Sequence, residues 1–295
     1  MEVTRTYDRT RQLYQGRVGI LPTLGYFHEG HLRLMDLLRE ACDTLVVSLF
    51  VNPTQFNDVG DYESYPRDEE RDSSLAEDRN VDILFAPDEA EVYPGDSVTT
   101  VEVVGVTDEM EGRHRPGHFV GVATVVAKLF AGLRPDVAMF GRKDAQQLAV
   151  LKTMVTDLRF PIEIVEAPVV REPDGLALSS RNVRLTKTDR ERALAISRGL
   201  FQAAEQVDAG ERRAERLEGT VLRSMKRLDV DYVKLAAQAT MKPMDHLDRP
   251  AVLAVAAQVG EVRLIDNVAF DLDGGDPVPD RGIILEAPSE LTELP

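Results

Sequence analysis

The chain has 295 residues, 43% of them hydrophobic and 29% charged, a balance that defines a globular protein able to bury one large core or two ordinary ones. Its net charge of −16 argues against binding to nucleic acid or to an anionic membrane, since both need a basic face. One cysteine, Cys42, excludes an internal disulfide and a thiolate metal cluster, and its neighbours Leu37, Leu38 and Leu45 suit a packing role in a reducing compartment. With no charged-then-apolar leader and no apolar run of about 18 residues, the expected location is cytoplasmic, with no membrane span.

Through residue 170 the chain alternates two patterns. "RVGILPT", "TLVVSLFVN", "VDILFA" and "DVAMFG" read as short buried strands, while 28–42, 66–79, 118–133 and 143–158 carry apolar residues at helical spacing. That alternation predicts an α/β fold, a doubly wound parallel sheet covered by helices, whose ligands bind beyond the carboxyl ends of the strands. At "VVREPDGLALSSRN", 169–182, a Pro-Asp-Gly turn breaks the rhythm and marks a domain boundary, placed between 174 and 175. Beyond it, two amphipathic helices at 188–209 and 211–227 and three strands, "VDYVKLAA", "PAVLAVAAQV" and "EVRLIDNVAF", predict a smaller α+β domain over 175–270. Residues 271–295 hold seven Asp or Glu against one Arg, so a loosely ordered acidic tail is expected there.

The stretch "GILPTLGYFHEGHLRLM", 19–35, leads from a strand into two histidines three positions apart. If the helix starts near His28, its unpaired N–H groups and dipole favour an anion, and His31, about 60° around the axis, faces the same ligand. A polyphosphate suits that pair better than zinc, which needs His-Glu-x-x-His spacing, and two ordinary polar residues at a cap are the plain alternative. Gly30 favours close approach of a ligand to backbone. The second strand ends in "FVNPTQFN", where Asn52 and Gln55 could hydrogen-bond a hydroxyl or carboxylate, or simply form a turn. Asp72 is either a magnesium contact or part of a solvated helix face.

"EGRHRPGHF" gathers Arg113, His114, Arg115 and His118, a cationic knot in an acidic chain and a candidate anion site. In "DVAMFGRKDAQQL", Lys143 opens a helix, where it opposes the dipole unless an anion binds, and Asp144 could hold ribose hydroxyls with Gln147 on a neighbouring face. "LALSSRN" offers Ser179, Ser180 and Arg181, a phosphate lid or a polar linker. Neither a Ser-His-Asp triad nor a P-loop can be assembled from the sequence.

Taken in order, "LPTLGYFHEGH", "VNPTQF", "YPR", "RPGHFVGVATVVAKLF", "FGRKDAQQL", "VREPDGLALSSRN" and "VRLIDN" resemble the pantoate–β-alanine ligase family over residues 17 to 268. The resemblance implies a Rossmann-like fold of the His-x-Gly-His nucleotidyltransferase superfamily, a catalytic domain over 1–174, a C-terminal lid, and a homodimer. It implies that ATP and pantoate give pantoyl adenylate and that β-alanine then displaces AMP. By motif, His28, His31, Lys143, Ser179, Ser180 and Arg181 would be catalytic, and Pro22, Thr23, Leu24, Gly141, Asp144 and Val170 would line the ATP site. Asn52, Gln55, His118 and Gln147 would hold pantoate, and Asp72 would take the family's magnesium-side acidic position, with Mg2+ accompanying ATP. Two departures stand out: Tyr26 replaces a small residue, and Arg142 replaces the glutamate of a Gly-Glu-Lys-Asp-Tyr motif. An adenylyltransferase of the same superfamily, or a degenerate nucleotide-binding protein, is the alternative.

Overall fold

Val18–Thr23 and Thr44–Leu49 are rich in leucine and β-branched residues and are buried along most of their length, as strands inside a parallel sheet must be. In the computed structural model, which describes residues 1–291, they are two of six strands: β1 (Glu2–Thr4), β2 (Val18–Thr23), β3 (Thr44–Leu49), β4 (Ile83–Phe85), β5 (Val137–Gly141) and β6 (Glu163–Ala167). Their spatial order is β1-β4-β3-β2-β5-β6 in a parallel, Rossmann-like sheet. The chain builds outward from β2 through β3 and β4, then returns to add β5 on the other side. From β2 the chain enters the segment that carries His28, and from β5 the turn that carries Lys143.

The chain divides into two compact units. The first comprises Met1–Val104, Arg115–Phe140 and Val150–Ala167; the second comprises Gly105–His114, Gly141–Ala149 and everything from Pro168 onward. The change-over thus comes at 167/168 rather than at 174/175. The reason is pairing: β7 (Val170–Arg171) lies beside β12 (Ile283–Ile284), and the Arg171 guanidinium grips Asp266 at 2.6 and 2.9 Å. Between those two strands run β8 (Asp229–Ala237), β9 (Ala251–Val259), β10 (Val262–Asp273) and β11 (Asp276–Asp280), an antiparallel sheet in the order β11-β10-β9-β8. The helices Lys187–Asp208 and Ala214–Ser224 share a core with this sheet, with Leu200, Leu217 and Val221 packed in one cluster with Leu253, Val255 and Phe270.

The expected loose tail is corrected by the structure over 271–291. β10 continues to Asp273, β11 pairs with it, and the Ser289 N–H, at 2% exposure, donates to Glu172 at 2.9 Å. Composition misled because the partners of the acids lie elsewhere in the chain: Asp271 and Asp280 meet Arg142. Residues 292–295 of that expectation lie outside the described residues. No helix among the described residues is long and apolar enough to cross a membrane.

Candidate active site

In the first unit, His28 is the N-cap of the helix Glu29–Arg39, in extended conformation, and is itself buried. Its Nδ1 accepts the Gly30 N–H at 3.1 Å, while its own N–H donates to His31 Nδ1 at 3.3 Å. This is a capping box built from imidazoles, and it satisfies two of the helix's orphan donors. The ring centroids lie 4.1 Å apart, so the spacing of three does place the two side by side. Because each Nδ1 accepts a backbone N–H, the neutral ring carries its proton on Nε2.

The loop that delivers this pair is fixed from the helix Glu69–Asp78. Gly25 at φ +88 and Tyr26 at φ +52 are both left-handed, and a Cβ on Gly25 would fall 2.4 Å from a Leu49 methyl. The Asp72 carboxylate, 1% exposed, accepts the Tyr26 N–H at 2.6 Å and the Phe27 N–H at 2.7 Å. Burial pushes this carboxyl above the ordinary carboxylate range, against the pull of those two N–H groups and of Arg71. Arg71 also donates to the Phe27 carbonyl at 2.9 Å and stacks 4.7 Å over the Tyr26 ring. Tyr26 is therefore tied into the loop. Asp72, which the resemblance links to magnesium, accepts a backbone N–H at each of its two oxygens and clamps the loop. Among the described residues no group of three or more His, Cys, Asp or Glu is placed to hold a metal ion.

Asn52 and Gln55 meet at the end of β3. The Asn52 side chain, 1% exposed, donates to Gln55 Oε1 at 3.1 Å and to the Gly121 carbonyl at 3.2 Å, and accepts the Tyr93 hydroxyl at 2.8 Å. Its amide is committed to neighbours, and because Gln55 accepts through Oε1, the Gln55 NH2 is the end available to donate. A Cβ at Gly121 would sit 2.4 Å from the Thr54 carbonyl oxygen, so only glycine lets the helix His118–Leu133 approach this turn. His118 starts that helix; its Nδ1 donates to the Gln55 carbonyl at 2.7 Å while Arg115 donates to its Nε2 at 3.1 Å. Half of the cationic knot thus braces Gln55. Arg115 was legible as part of that knot, whereas Tyr93 and Arg71 carried no local signal. Pro22 and Thr23 close β2, with the Thr23 hydroxyl donating to the Ser48 carbonyl at 2.6 Å, and Leu24 follows in the loop.

The second unit carries the remaining candidates. Gly141 ends β5, and Arg142–Asp144 is a tight 3-10 turn, so the helix expected from 143 begins at Ala145. Lys143 Nζ lies 3.4 Å from Asp144 Oδ1. Asn267 Nδ2 donates to the Arg142 and Lys143 carbonyls at 2.9 and 2.8 Å, pinning the turn. Sequence reasoning missed Asn267 as an anchor, although it lies in the quoted "VRLIDN". The buried Gln146 accepts the Glu111 N–H and donates to the Val106 and Glu109 carbonyls, which leaves Gln147 on the adjacent, half-buried face. Ser179 caps the 3-10 turn Ser180–Arg184 by accepting the Arg181 N–H at 3.2 Å, so the "LALSSRN" segment is ordered turn structure. Val170 lies buried in β7, opposite Ile283.

A family model described as pantoate-beta-alanine ligase matches residues 1–269. The chain belongs to the pantoate–β-alanine ligase family. It is 49% identical over 266 residues to the pantothenate synthetase of Pelotomaculum thermopropionicum, covering 89% of this chain and 94% of that one. Among solved structures, the pantothenate synthetase of Thermus thermophilus superposes with TM-score 0.87 at 43% identity, covering 90% of this chain and 98% of the other. The pantoate-beta-alanine ligase of Francisella tularensis, complexed with beta-gamma ATP and beta-alanine, superposes with TM-score 0.75 at 32% identity, over 90% of this chain and 97% of that one. As a pantoate–β-alanine ligase, the chain joins pantoate to β-alanine to give pantothenate.

Proposed function

We propose that this chain works through a pantoyl adenylate, with MgATP as co-substrate, and that the residues described above divide that task. In the first step an oxygen of the pantoate carboxylate attacks the α-phosphorus of ATP in line, and the bond from that phosphorus to the β-phosphate bridge breaks, releasing pyrophosphate. No enzyme nucleophile is required, so catalysis consists of alignment and charge neutralisation. The observation that carries this reading is the imidazole capping box. His28 and His31 set two imidazoles side by side at a helix N-terminus, the place where backbone N–H groups and the helix dipole favour phosphate oxygens.

Lys143 supplies a mobile positive charge for the leaving pyrophosphate, and Ser179, Ser180 and Arg181 donate to phosphate oxygens. Pro22, Thr23, Leu24, Gly141 and Val170 line the adenosine side, where Asp144 accepts from the ribose hydroxyls. Gln55 and Gln147 hold pantoate; Asn52 and His118 act on it through Gln55, whose side chain and carbonyl they hold. Magnesium enters with the nucleotide and offsets phosphate charge. In the second step the β-alanine amine attacks the acyl carbonyl, the bond to AMP breaks, and the amine loses its proton to solvent.

Support for the co-substrates comes from the Francisella relative complexed with beta-gamma ATP and beta-alanine. A homodimer working in the cytoplasm completes the reading, and sedimentation of the purified chain tests its stoichiometry. Pantoate labelled with oxygen-18 in its carboxylate tests the adenylate itself. Label in the released AMP supports the mechanism, whereas unlabelled AMP contradicts it.

A further inference from the structure

The lysine assigned to phosphate follows directly on a second cation, and that cation does not stand alone. Arg142 Nη1 donates to Asp271 Oδ2 at 2.8 Å and to Asp280 Oδ2 at 3.0 Å, both within the second unit. Each acid is held for this purpose: the Gly282 N–H donates to Asp280 Oδ1 at 2.9 Å, and Gln238 Nε2 to Asp271 Oδ1 at 3.2 Å. The two acids come from paired strands, β10 and β11, whose register sets them two rungs apart in one hairpin.

We propose that Arg142 is a positioning residue that ties the Lys143 turn to the C-terminal hairpin. Deepening the assignment of Lys143 to phosphate, the proposal rests on that reading. The turn is gripped twice. Asn267, 2% exposed, holds the two carbonyls from the backbone side, and the Arg142 side chain reaches across to the acids. Charge-assisted bonds between partly buried groups are stronger than neutral ones, and here the one nitrogen Nη1 donates to both carboxylates. Two carboxylates also offset the Arg142 charge, so it neither repels Lys143 nor acts as a further phosphate cation. The match to the family model ends at residue 269, so both acids lie in the segment that follows it. In this chain, the terminal hairpin helps set the position of Lys143.

The test is single-turnover pyrophosphate release, with folding checked by circular dichroism and denaturation midpoint. Arg142→Met is expected to slow the step about tenfold while the KM for pantoate stays put, as small misplacements of reacting groups do. Asp271→Asn combined with Asp280→Asn should reproduce this loss, and Arg142→Lys should recover part of the rate. The decisive comparison is Arg142→Met in a Lys143→Ala background, where it should add nothing, because a tether acts only through what it holds. Multiplying losses in that background, or an undiminished rate in Arg142→Met alone, would overturn the tether while leaving the role of Lys143 intact. A wild-type rate in Lys143→Ala would overturn the lysine's role and the tether with it.

Discussion

The Asp72 carboxylate, 1% exposed, accepts the Phe27 N–H at 2.7 Å, so a charge on the helix Glu69–Asp78 fixes the residue that immediately precedes His28. The same group holds Tyr26 in its left-handed conformation. Asp72→Asn keeps the shape but turns an NH2 toward a backbone N–H, and the loop must shift to relieve it. Steady-state kinetics should show kcat down about tenfold with the KM for β-alanine unchanged, in line with a small misplacement of the imidazoles. Unchanged kcat would remove Asp72 from any positioning role.

The pH dependence of stability follows from the same carboxyl. Burial raises its folded value above that of the unfolded chain, so the folded state retains a proton that the unfolded state has lost. Its contribution is therefore fully present below the unfolded value of about 3.9 and is lost as pH rises through the higher folded value. Urea denaturation across that acidic window should show wild type losing stability relative to Asp72→Asn, with a constant difference above it.

Removing either phosphate-facing group should harm chemistry far more than folding. Both His28→Ala and Lys143→Ala are expected to slow pyrophosphate release about a hundredfold or more, the usual cost of deleting a transition-state charge contact. Lys143→Ala should leave the denaturation midpoint within experimental error, since its ion pair with Asp144 is partly exposed. His28→Ala also removes an N-cap and should cost about 1 kcal/mol of stability.

Gly121 sets how closely the helix His118–Leu133 approaches Thr54 and Gln55. Gly121→Ala places a Cβ 2.4 Å from the Thr54 carbonyl oxygen, and the turn must move. A stability loss of about 1–3 kcal/mol is expected, together with a raised KM for pantoate and little change in the KM for ATP. Equal changes in both constants would mean that Gln55 does not select pantoate.

Within the second unit, Arg171 and Asp266 form a bidentate pair with neither side chain more than 4% exposed. Asp266→Ala strands a buried guanidinium and is expected to cost about 3–5 kcal/mol in chemical denaturation. A loss below about 1 kcal/mol would mean that water or the carbonyls of Gly175, Asn267 and Arg281 compensate.

The parts of the fold that were legible in the sequence are those whose signal is local. Apolar runs marked β2, β3, β4 and β5, because a strand buried on both faces needs no polar alternation, and the helix His118–Leu133 was bounded correctly by its period. β1 and β6 escaped notice: one has three residues and the other is half exposed, and each is defined by its neighbour rather than by its own pattern. The terminal strands were hidden in the same way, since their acids look like a solvated tail until Arg142 is placed beside them. At the site, the spacing of His28 and His31 announced the pair, but nothing in the sequence showed that each ring accepts a backbone N–H at the same helix start. Nor did it show that Asp72, distant along the chain, closes the loop before them. Such roles depend on tertiary pairing, which a periodic pattern cannot encode.

The most direct test of the central claim is product release from purified protein with MgATP, first with pantoate alone and then with β-alanine added. Pyrophosphate release with pantoate alone, followed by AMP and pantothenate only after the amine is added, is the result that the proposed chemistry requires. No pyrophosphate from a folded protein that still binds ATP would contradict it, as would AMP release that does not depend on β-alanine.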